Sequence, residues 1–191
     1  MKIAIIDIDG VLNYYPRTFL DFVSNTTKQN FNTLLEAKNS IPYEKYKELK
    51  RRYRKSEYKH NAKPRVGAKA LLQYLHKHNY LIYIITSREL YKDKMLQNTI
   101  LWLRRNKLIY DFIYESRKKD FTIFEKFKDI DIVIEDNVDN IKNIMKISLA
   151  KCYNVINEDN KDMSVDCHRV KDLFEIVKLL KQNRSKRHGK N

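Results

Sequence analysis

Short apolar runs alternate with amphipathic stretches along most of the chain. Five runs have the length and apolar character of strands buried in a parallel sheet, and they cover residues 3–6, 81–85, 110–114, 130–134 and 152–156. Apolar residues at helical spacing lie between and after them, and they predict helices from residue 68 and over residues 92–106, 119–128, 138–147 and 169–182. This alternation predicts an α/β fold, a three-layer Rossmann-like parallel sheet with helices on both faces.

Residues 13–63 depart from that alternation, because they contain helical patterns and no strong strand. An apolar cluster around Phe19 indicates one helix, and aromatic and leucine positions at a spacing near 3.6 indicate a charged helix over residues 43–58. Pro64 and Gly67 mark the return to the main pattern. The predicted organisation is a core of residues 1–12 and 64–182, a small helical cap inserted after the first strand at 13–63, and a disordered basic tail at 183–191.

The positive charge of the chain is concentrated in two segments. The formal net charge is +15. Residues 44–65 contain ten Lys and Arg against three Glu, and residues 181–191 contain five Lys and Arg with no acidic residue. A localised positive field attracts phosphate-bearing partners, so a nucleotide or nucleic-acid phosphate is one expectation. The alternative expectation is that the charge reflects a lysine-rich composition and lies on solvated helix faces.

The cysteine content indicates a reducing compartment. Cys152 and Cys167 are the two cysteines, and no CxxC motif is present, so we expect no disulfide framework and an intracellular, cytoplasmic location. No segment has the length of a membrane span. The apolar run at the N-terminus ends at Asp7 and is too short for a signal peptide.

The candidate chemistry begins where the first strand ends, in the sequence Asp7-Ile8-Asp9-Gly10-Val11-Leu12. Ligands bind at the carboxyl ends of strands in open α/β sheets. A pair of carboxylates there is costly without a cation or a proton between its members. Oxygen ligands of this kind suit Mg²⁺, and Gly10 allows the backbone to turn sharply after the pair.

Two further predicted strands end in residues that fit the same chemistry. Thr86 follows the second strand, and Glu135 with Asp136 follows the fourth. Because parallel strands end at one edge of the sheet, we expect these side chains to converge on Asp7 and Asp9. This convergence is a stronger signal than any one motif.

These motifs resemble the haloacid dehalogenase superfamily, chiefly its phosphatases. The matching features, over residues 1 to about 160, are the opening DxDGxL, the strand-end Thr86, a lysine before the fourth strand, and the acidic pair after it. The resemblance implies a phosphoric monoester hydrolase in which Asp7 is the nucleophile and Asp9 the general acid and base. It also implies Mg²⁺ held by Asp7, the Asp9 carbonyl and Asp136, with Glu135 assisting.

Phosphoryl transfer depends on positioning and charge stabilisation, so a hydroxyl and an ammonium group should complete the site. The resemblance assigns the hydroxyl to Thr86. Arg117, Lys118 and Lys119 are adjacent, and the ammonium is assigned to Lys119 first and Lys118 second. The choice between these two lysines stays open.

The substrate is indicated by Thr86-Ser87-Arg88. This sequence resembles both the deoxyribonucleotidases and the 3′-phosphatase part of polynucleotide kinase-phosphatases. Arg88, with Ser87 beside it, is expected to bind a substrate phosphate bidentately. In the cap, Arg51 and Arg52 are candidates for substrate contact if their helix face is turned toward the site, and the outer surface is the alternative. Three interleaved tyrosines are a further hypothesis for base stacking on a nucleic-acid track: Tyr46, Tyr53 and Tyr58.

A 5′-nucleotidase acting on (deoxy)nucleoside monophosphates is the first functional expectation. A 3′-phosphatase on DNA or RNA ends is the close alternative. A basic nucleic-acid-binding protein on an inactive scaffold is a third, and the intact Asp7 and Asp9 argue against it. No P-loop is present, so no accompanying kinase activity is expected.

Overall fold

Six parallel strands form one sheet at the centre of the molecule. The computed structural model describes residues 2–88, 90, 93–116 and 129–188. The spatial order of the strands is β3-β2-β1-β4-β5-β6. The strands are β1 (Lys2–Ile6), β2 (Tyr80–Thr86), β3 (Phe112–Glu115), β4 (Ile132–Glu135), β5 (Lys151–Val155) and β6 (His168–Val170). The predicted α/β class is confirmed.

Helices cover both faces of this sheet, because its side chains alternate between two apolar clusters. Ala4 and Ile6 of β1 belong to one cluster, and Ile5 belongs to the other. The helices of the described residues are α1 (Arg17–Thr27), α2 (Leu34–Ser40), α3 (Tyr43–Arg54), α4 (Glu57–His60), α5 (Ala68–Lys77), α6 (Asp93–Arg105), α7 (Val138–Ile147) and α8 (Leu173–His188). Helices α5 and α8 pack on the Ala4 side, and α7 packs on the Ile5 side.

The register of the central strands places the candidate chemistry at one edge. Ile6 at the end of β1 pairs with Ile84 of β2 and with Ile134 of β4. The next residues along β1 and β4 are Asp7 and Glu135. All three strands therefore deliver their carboxyl-terminal residues to the same side of the sheet.

Helices α1 to α3 enclose an apolar cluster of their own, separate from the two clusters on the sheet. Phe19 at its centre lies edge-on to Tyr46 and Tyr53, with ring centroids 5.8 and 5.2 Å away. The two chain segments that join this cap to the sheet meet in an antiparallel bridge between Asn13 and Pro64. The cap thus leaves and re-enters the sheet at one place, next to the end of β1.

The C-terminal part of the chain differs from expectation in two ways. The expected helix at 169–182 begins at Leu173, because Val170 belongs to β6, a strand that the pattern did not predict. The tail expected to be disordered from residue 183 is helical as far as His188. Three of the six residues from 183 to 188 are lysine or arginine, which have good helix propensity, and extending an existing helix needs no new nucleus.

Smaller differences concern helix and strand ends. The charged helix expected over 43–58 stops at Arg54, and the short helix α4 begins at Glu57. Strand β3 begins at Phe112 rather than at Tyr110. The helix expected at 119–128 lies outside the described residues. None of the helices in the described part of the chain combines the length and apolar character that a membrane crossing requires.

Candidate active site

The loop after β1 holds two carboxylates in a fixed geometry. The Asp7 amide donates to the Ile134 carbonyl at 3.1 Å, which continues the sheet by one residue. The chain then makes a tight turn over Ile8–Leu12, closed by the Asn13 amide donating to the Ile8 carbonyl. The Asn13 side chain accepts from the Gly10 amide and donates to the Asp9 carboxylate at 2.8 Å. Asn13 therefore links the backbone of the turn to the second carboxylate.

Gly10 has a residue-specific role in this turn. Its φ of 93° lies in the left-handed region, which favours glycine. A Cβ atom at this position would also overlap the carboxylate of Asp136. The absence of a side chain at Gly10 therefore lets the β4 loop approach the β1 loop.

Three carboxylates meet at the sheet edge. Asp7, Glu135 and Asp136 each offer an oxygen, and these oxygens lie within 4.8 Å of one another. Asp7 and Glu135 are buried, and Asp136 is partly exposed. An all-oxygen donor set with three negative charges fits a hard divalent cation such as Mg²⁺. The close approach that Gly10 permits brings the third carboxylate of this set into place.

The acidic loop after β4 is held by hydrogen bonds that the sequence motif did not predict. The Glu135 carboxylate accepts from the Asp136 and Asn137 amides, both at 3.1 Å. Asn157 donates to the Asp136 carboxylate at 2.8 Å, and Asn160 donates to the Asp136 carbonyl at 2.7 Å. The one sequence signal for these hydrogen bonds was the regular spacing of three residues between Asn154, Asn157 and Asn160.

Asp9 forms ion pairs with two cations. Lys59 approaches it to 2.7 Å from α4 of the cap. Arg88, two residues after β2, donates through Nε and Nη2 to both carboxylate oxygens at 2.9 and 2.7 Å. Burial alone would raise the pKa of Asp9, but attraction to Arg88 and Lys59, with their hydrogen bonds, holds it well below its usual range. Asp9 is therefore a carboxylate in this arrangement.

Both cations are themselves buried and supported. Arg88 donates to the Thr99 hydroxyl at 3.2 Å and lies 5.9 Å from the Trp102 ring centroid. The Lys59 ammonium lies 6.0 Å from the ring centroid of Tyr15 and 5.7 Å from that of Tyr53. Burial, followed by the nearby charge of Arg88, lowers the pKa of Lys59 to about 8. The site therefore keeps two cations in a place from which water is largely excluded.

Two cavities open on either side of Asp9. One, of about 460 Å³, is lined by the three clustered carboxylates. The other, of about 230 Å³, lies between cap and core and is lined by Lys50, Arg54, Lys59 and Arg88. Three residues line both cavities: Asp9, Tyr15 and Ser87. Asp9 thus stands at the boundary between an acidic and a basic compartment.

The structure also locates the remaining predicted site residues. Thr86 is fully buried, and its hydroxyl accepts from the Arg88 amide at 3.3 Å. Ser87 is exposed where the two cavities meet. Arg51 and Arg52 are exposed on α3 and outside the described lining of both cavities. Lys118 and Lys119 lie outside the described residues, so the ammonium role remains a prediction.

The base-stacking hypothesis for the cap tyrosines is wrong at two of its three positions. Tyr46 and Tyr53 are 6% and 3% exposed, because both rings belong to the cap's apolar cluster. Tyr58 is exposed, and its hydroxyl accepts from Asn25 at 2.8 Å. Tyr46 and Tyr53 build the apolar core of the cap, and Tyr53 also lines the cavity between cap and core.

Lys59 and Asn13 are site residues that the sequence patterns did not indicate. Lys59 is one of ten basic residues in a charged segment, and no motif distinguishes it from its neighbours. Asn13 lies four residues after Asp9, a spacing that would have suggested a contact only once the turn was known. Both contact Asp9 directly.

A family model for haloacid dehalogenase-like hydrolases matches residues 6–119, which is more than half of the chain. No curated protein sequence matches the chain. The predicted membership of this superfamily and the prediction of a hydrolase are both confirmed.

Solved structures of low sequence identity share the fold. A Thermotoga maritima protein provisionally identified as a β-phosphoglucomutase is 15% identical, with a TM-score of 0.65 over 95% of this chain and 99% of that one. D,D-heptose 1,7-bisphosphate phosphatase from B. bronchiseptica, in complex with magnesium and phosphate, is 12% identical, with a TM-score of 0.56 over 96% and 99%.

A phosphatase from Thermococcus onnurineus is 16% identical, with a TM-score of 0.55 over 94% of this chain and 98% of that one. The family match and this shared fold agree with the strand-edge site described above. The chain belongs to the haloacid dehalogenase-like hydrolases.

Proposed function

We propose that this protein is a Mg²⁺-dependent phosphatase that hydrolyses a nucleotide phosphomonoester through an aspartyl-phosphate on Asp7. The observation that carries the proposal is the arrangement around the β1 loop. Asp7 lies in a cluster of three carboxylates, and Asp9 lies beside it between two cavities. One carboxylate is thus placed with the acidic donors and the other with the cations, which suits two different roles.

In the first step, an Asp7 carboxylate oxygen attacks phosphorus and the bond from phosphorus to the ester oxygen breaks. The leaving oxygen takes a proton from Asp9 acting as a general acid. In the free site Lys59 and Arg88 hold Asp9 as a carboxylate. The acid form therefore requires these cations to shift toward the bound substrate while Asp9 takes up one proton from solvent.

In the second step, water attacks phosphorus and displaces the Asp7 carboxylate, which releases inorganic phosphate. Asp9 accepts the proton from this water, so the protons of the two steps balance. The pairing with Lys59 and Arg88 favours the carboxylate form that this step uses. Asp9 therefore ends the second step in the acid form with which it began the first, and it returns to the carboxylate by releasing this proton to solvent when phosphate leaves.

Asp7, Asp136 and the Asp9 carbonyl would hold the Mg²⁺ ion, with Glu135 assisting. When bound, Mg²⁺ supplies positive charge that lets an anionic carboxylate meet an anionic phosphate. Glu135 positions the loop through the Asp136 and Asn137 amides. Thr86 and a lysine at 119 or 118 are proposed to contact the transferred phosphoryl group.

A nucleotide substrate is supported by Arg88 and the adjacent cavity. Arg88 presents two parallel N–H groups to the Asp9 carboxylate, and the same pair of donors can bind a phosphate. A 5′-mononucleotide and a phosphorylated 3′ end of a nucleic acid are the two forms of this proposal.

The test is release of inorganic phosphate in Mg²⁺ from deoxynucleoside 5′-monophosphates and from a 3′-phosphorylated oligonucleotide. We expect turnover of at least one of them, and loss of that turnover when Mg²⁺ is chelated. Tight oligonucleotide binding without any phosphate release, from these substrates or from p-nitrophenyl phosphate, would instead favour the inactive binding protein.

A further inference from the structure

The cavity between cap and core has a charge that hydrolysis of a simple monoester does not require. Lys50 and Arg54 reach it from α3, Lys59 from α4, and Arg88 from the core. Asp9 is the single acidic side chain among the described residues that line it. Four positive charges thus face one negative charge in about 230 Å³.

Burial makes the charges of two of these cations costly, while Lys50 is partly buried and Arg54 is exposed. Lys59 and Arg88 are 8% and 9% exposed, and they share one carboxylate. Burial is also the first cause of a lowered pKa at Lys50. Cations held out of water need anionic partners to be stable. The cavity is therefore suited to an anion in addition to Asp9.

The position of the cavity defines which part of a substrate would enter it. The transferred phosphoryl group must meet Asp7, and Asp7 lines the acidic cavity and not the basic one. Asp9 protonates the leaving oxygen and lines both cavities. The leaving alcohol therefore extends from Asp9 into the basic cavity.

We infer that the leaving alcohol of the substrate carries a second anionic group, a phosphate or phosphodiester, which Lys50 and Arg54 bind together with Lys59 and Arg88. This inference rests on the proposed phosphatase function, and it defines the substrate by the charge of its leaving alcohol, whether or not that alcohol carries a base. A simple nucleoside monophosphate has a neutral leaving group and leaves these cations without a substrate partner. The phosphorylated 3′ end of a nucleic acid and a sugar bisphosphate both supply the second anion.

The direct test compares substrates that differ in that charge alone. A 3′-phosphorylated dithymidylate with a phosphodiester linkage is compared with the same compound carrying a neutral methylphosphonate linkage. A hexose bisphosphate is compared with the corresponding hexose monophosphate. Charge-assisted contacts predict that kcat/KM is at least about tenfold higher for the anionic member of one pair.

The two pairs distinguish the sources of the anion. A preference in the nucleotide pair alone identifies a nucleic-acid end, and a preference in the sugar pair alone identifies a sugar bisphosphate. A preference in both means that the second phosphate itself is recognised. Equal kcat/KM within each pair overturns the inference while leaving the phosphatase function in place. Failure to hydrolyse any of the four compounds or p-nitrophenyl phosphate overturns the function itself.

A matched pair of variants assigns the effect to the cavity. Lys50→Gln with Arg54→Gln removes two charges from its lining, and the preference for the anionic substrate should fall to within about twofold. Lys45→Gln with Lys55→Gln removes two charges from exposed positions at the ends of α3, outside the cavity. This control should keep the full preference, whereas an equal loss in both variants would mean a general field effect.

Discussion

The ammonium group of Lys59 lies 2.7 Å from the carboxylate of Asp9, and this ion pair joins the cap to the loop after β1. The two residues are 50 positions apart in the chain. Their side chains are 9% and 18% exposed, so the pair is largely shielded from water. The cap is therefore attached to the site through the residue proposed as its general acid and base.

Asp9→Asn should destabilise the fold as well as impair turnover. The change leaves the buried Lys59 and Arg88 without their shared counter-charge, and breaking a buried pair in this way costs about 3 kcal/mol. For a chain of this size that lowers the midpoint of thermal unfolding by roughly 6–12 °C. Calorimetry without Mg²⁺ measures this fall in the thermal midpoint.

The control for this prediction is Asp21→Asn. Asp21 pairs with Arg17 at 2.9 Å, but both side chains are exposed, so the loss should be under about 0.5 kcal/mol. Equal stability of the Asp9→Asn and wild-type proteins would show that the buried pairs contribute nothing to folding.

The same ion pairs predict a dependence of stability on acid pH. The folded-state pKa of Asp9 lies below its ordinary value of 3.8, so the folded state binds this proton less readily than the unfolded state. The stabilisation is therefore complete above about pH 5 and is lost as the pH falls through the folded-state pKa. Denaturant unfolding of wild type and Asp9→Asn should give a difference that shrinks below about pH 4. A constant difference down to pH 2 would contradict the assigned pairing.

Gly10→Ala should weaken metal binding through geometry alone. A methyl group there meets the Asp136 carboxylate, and the residue is held at a φ of 93°. We expect a loss of about 1–2 kcal/mol in stability from the left-handed backbone. The Mg²⁺ concentration that gives half of the maximal rise in thermal midpoint should also increase at least tenfold.

Gly67→Ala provides the matched control for that substitution. Gly67 has a φ of 83°, and its Cβ would meet the backbone at Leu173 and Phe174, away from the carboxylates. This variant should lose stability and keep the wild-type Mg²⁺ response. An unchanged Mg²⁺ response in Gly10→Ala would mean that Asp136 does not bind the ion.

Removing a proposed ligand tests the metal site more directly. Mg²⁺ at a hundred times its dissociation constant should stabilise the wild-type protein by about 2.7 kcal/mol. Asp136→Asn should lose most of that stabilisation, whereas the exposed Asp162→Asn should keep it. Isothermal titration with Mg²⁺ gives the same comparison without heating. Wild-type Mg²⁺ affinity in Asp136→Asn would remove Asp136 from the site.

The main parts of the fold were predictable because buried parallel strands are continuous apolar runs. Ile82 and Val133, for example, lie in strands that the pattern alone locates. Strand β6 was not predictable, since it has three residues and includes His168 and Arg169. Because Val170 has the spacing of the apolar positions in the following helix, the sequence pattern assigned it to that helix and not to a strand.

The candidate site was predictable where a motif follows a strand, and not where it depends on the cap. Asp7 and Asp136 were expected to converge because parallel strands share an edge. Lys59 approaches Asp9 only through the packing of α4 against the core, which no local pattern encodes. Arg51 and Arg52 belong to the same charged segment and are exposed outside the described lining of both cavities, so their contact with substrate stays a prediction.

The central claim is that Asp7 is the nucleophile, and the most direct measurement is phosphate release by Asp7→Asn in Mg²⁺. The amide cannot form the aspartyl-phosphate, so kcat should fall at least about a thousandfold. The thermal midpoint without Mg²⁺ should not fall, because one of three crowded carboxylates is removed. Phosphate release by folded Asp7→Asn at a rate near that of the wild-type protein would contradict the account.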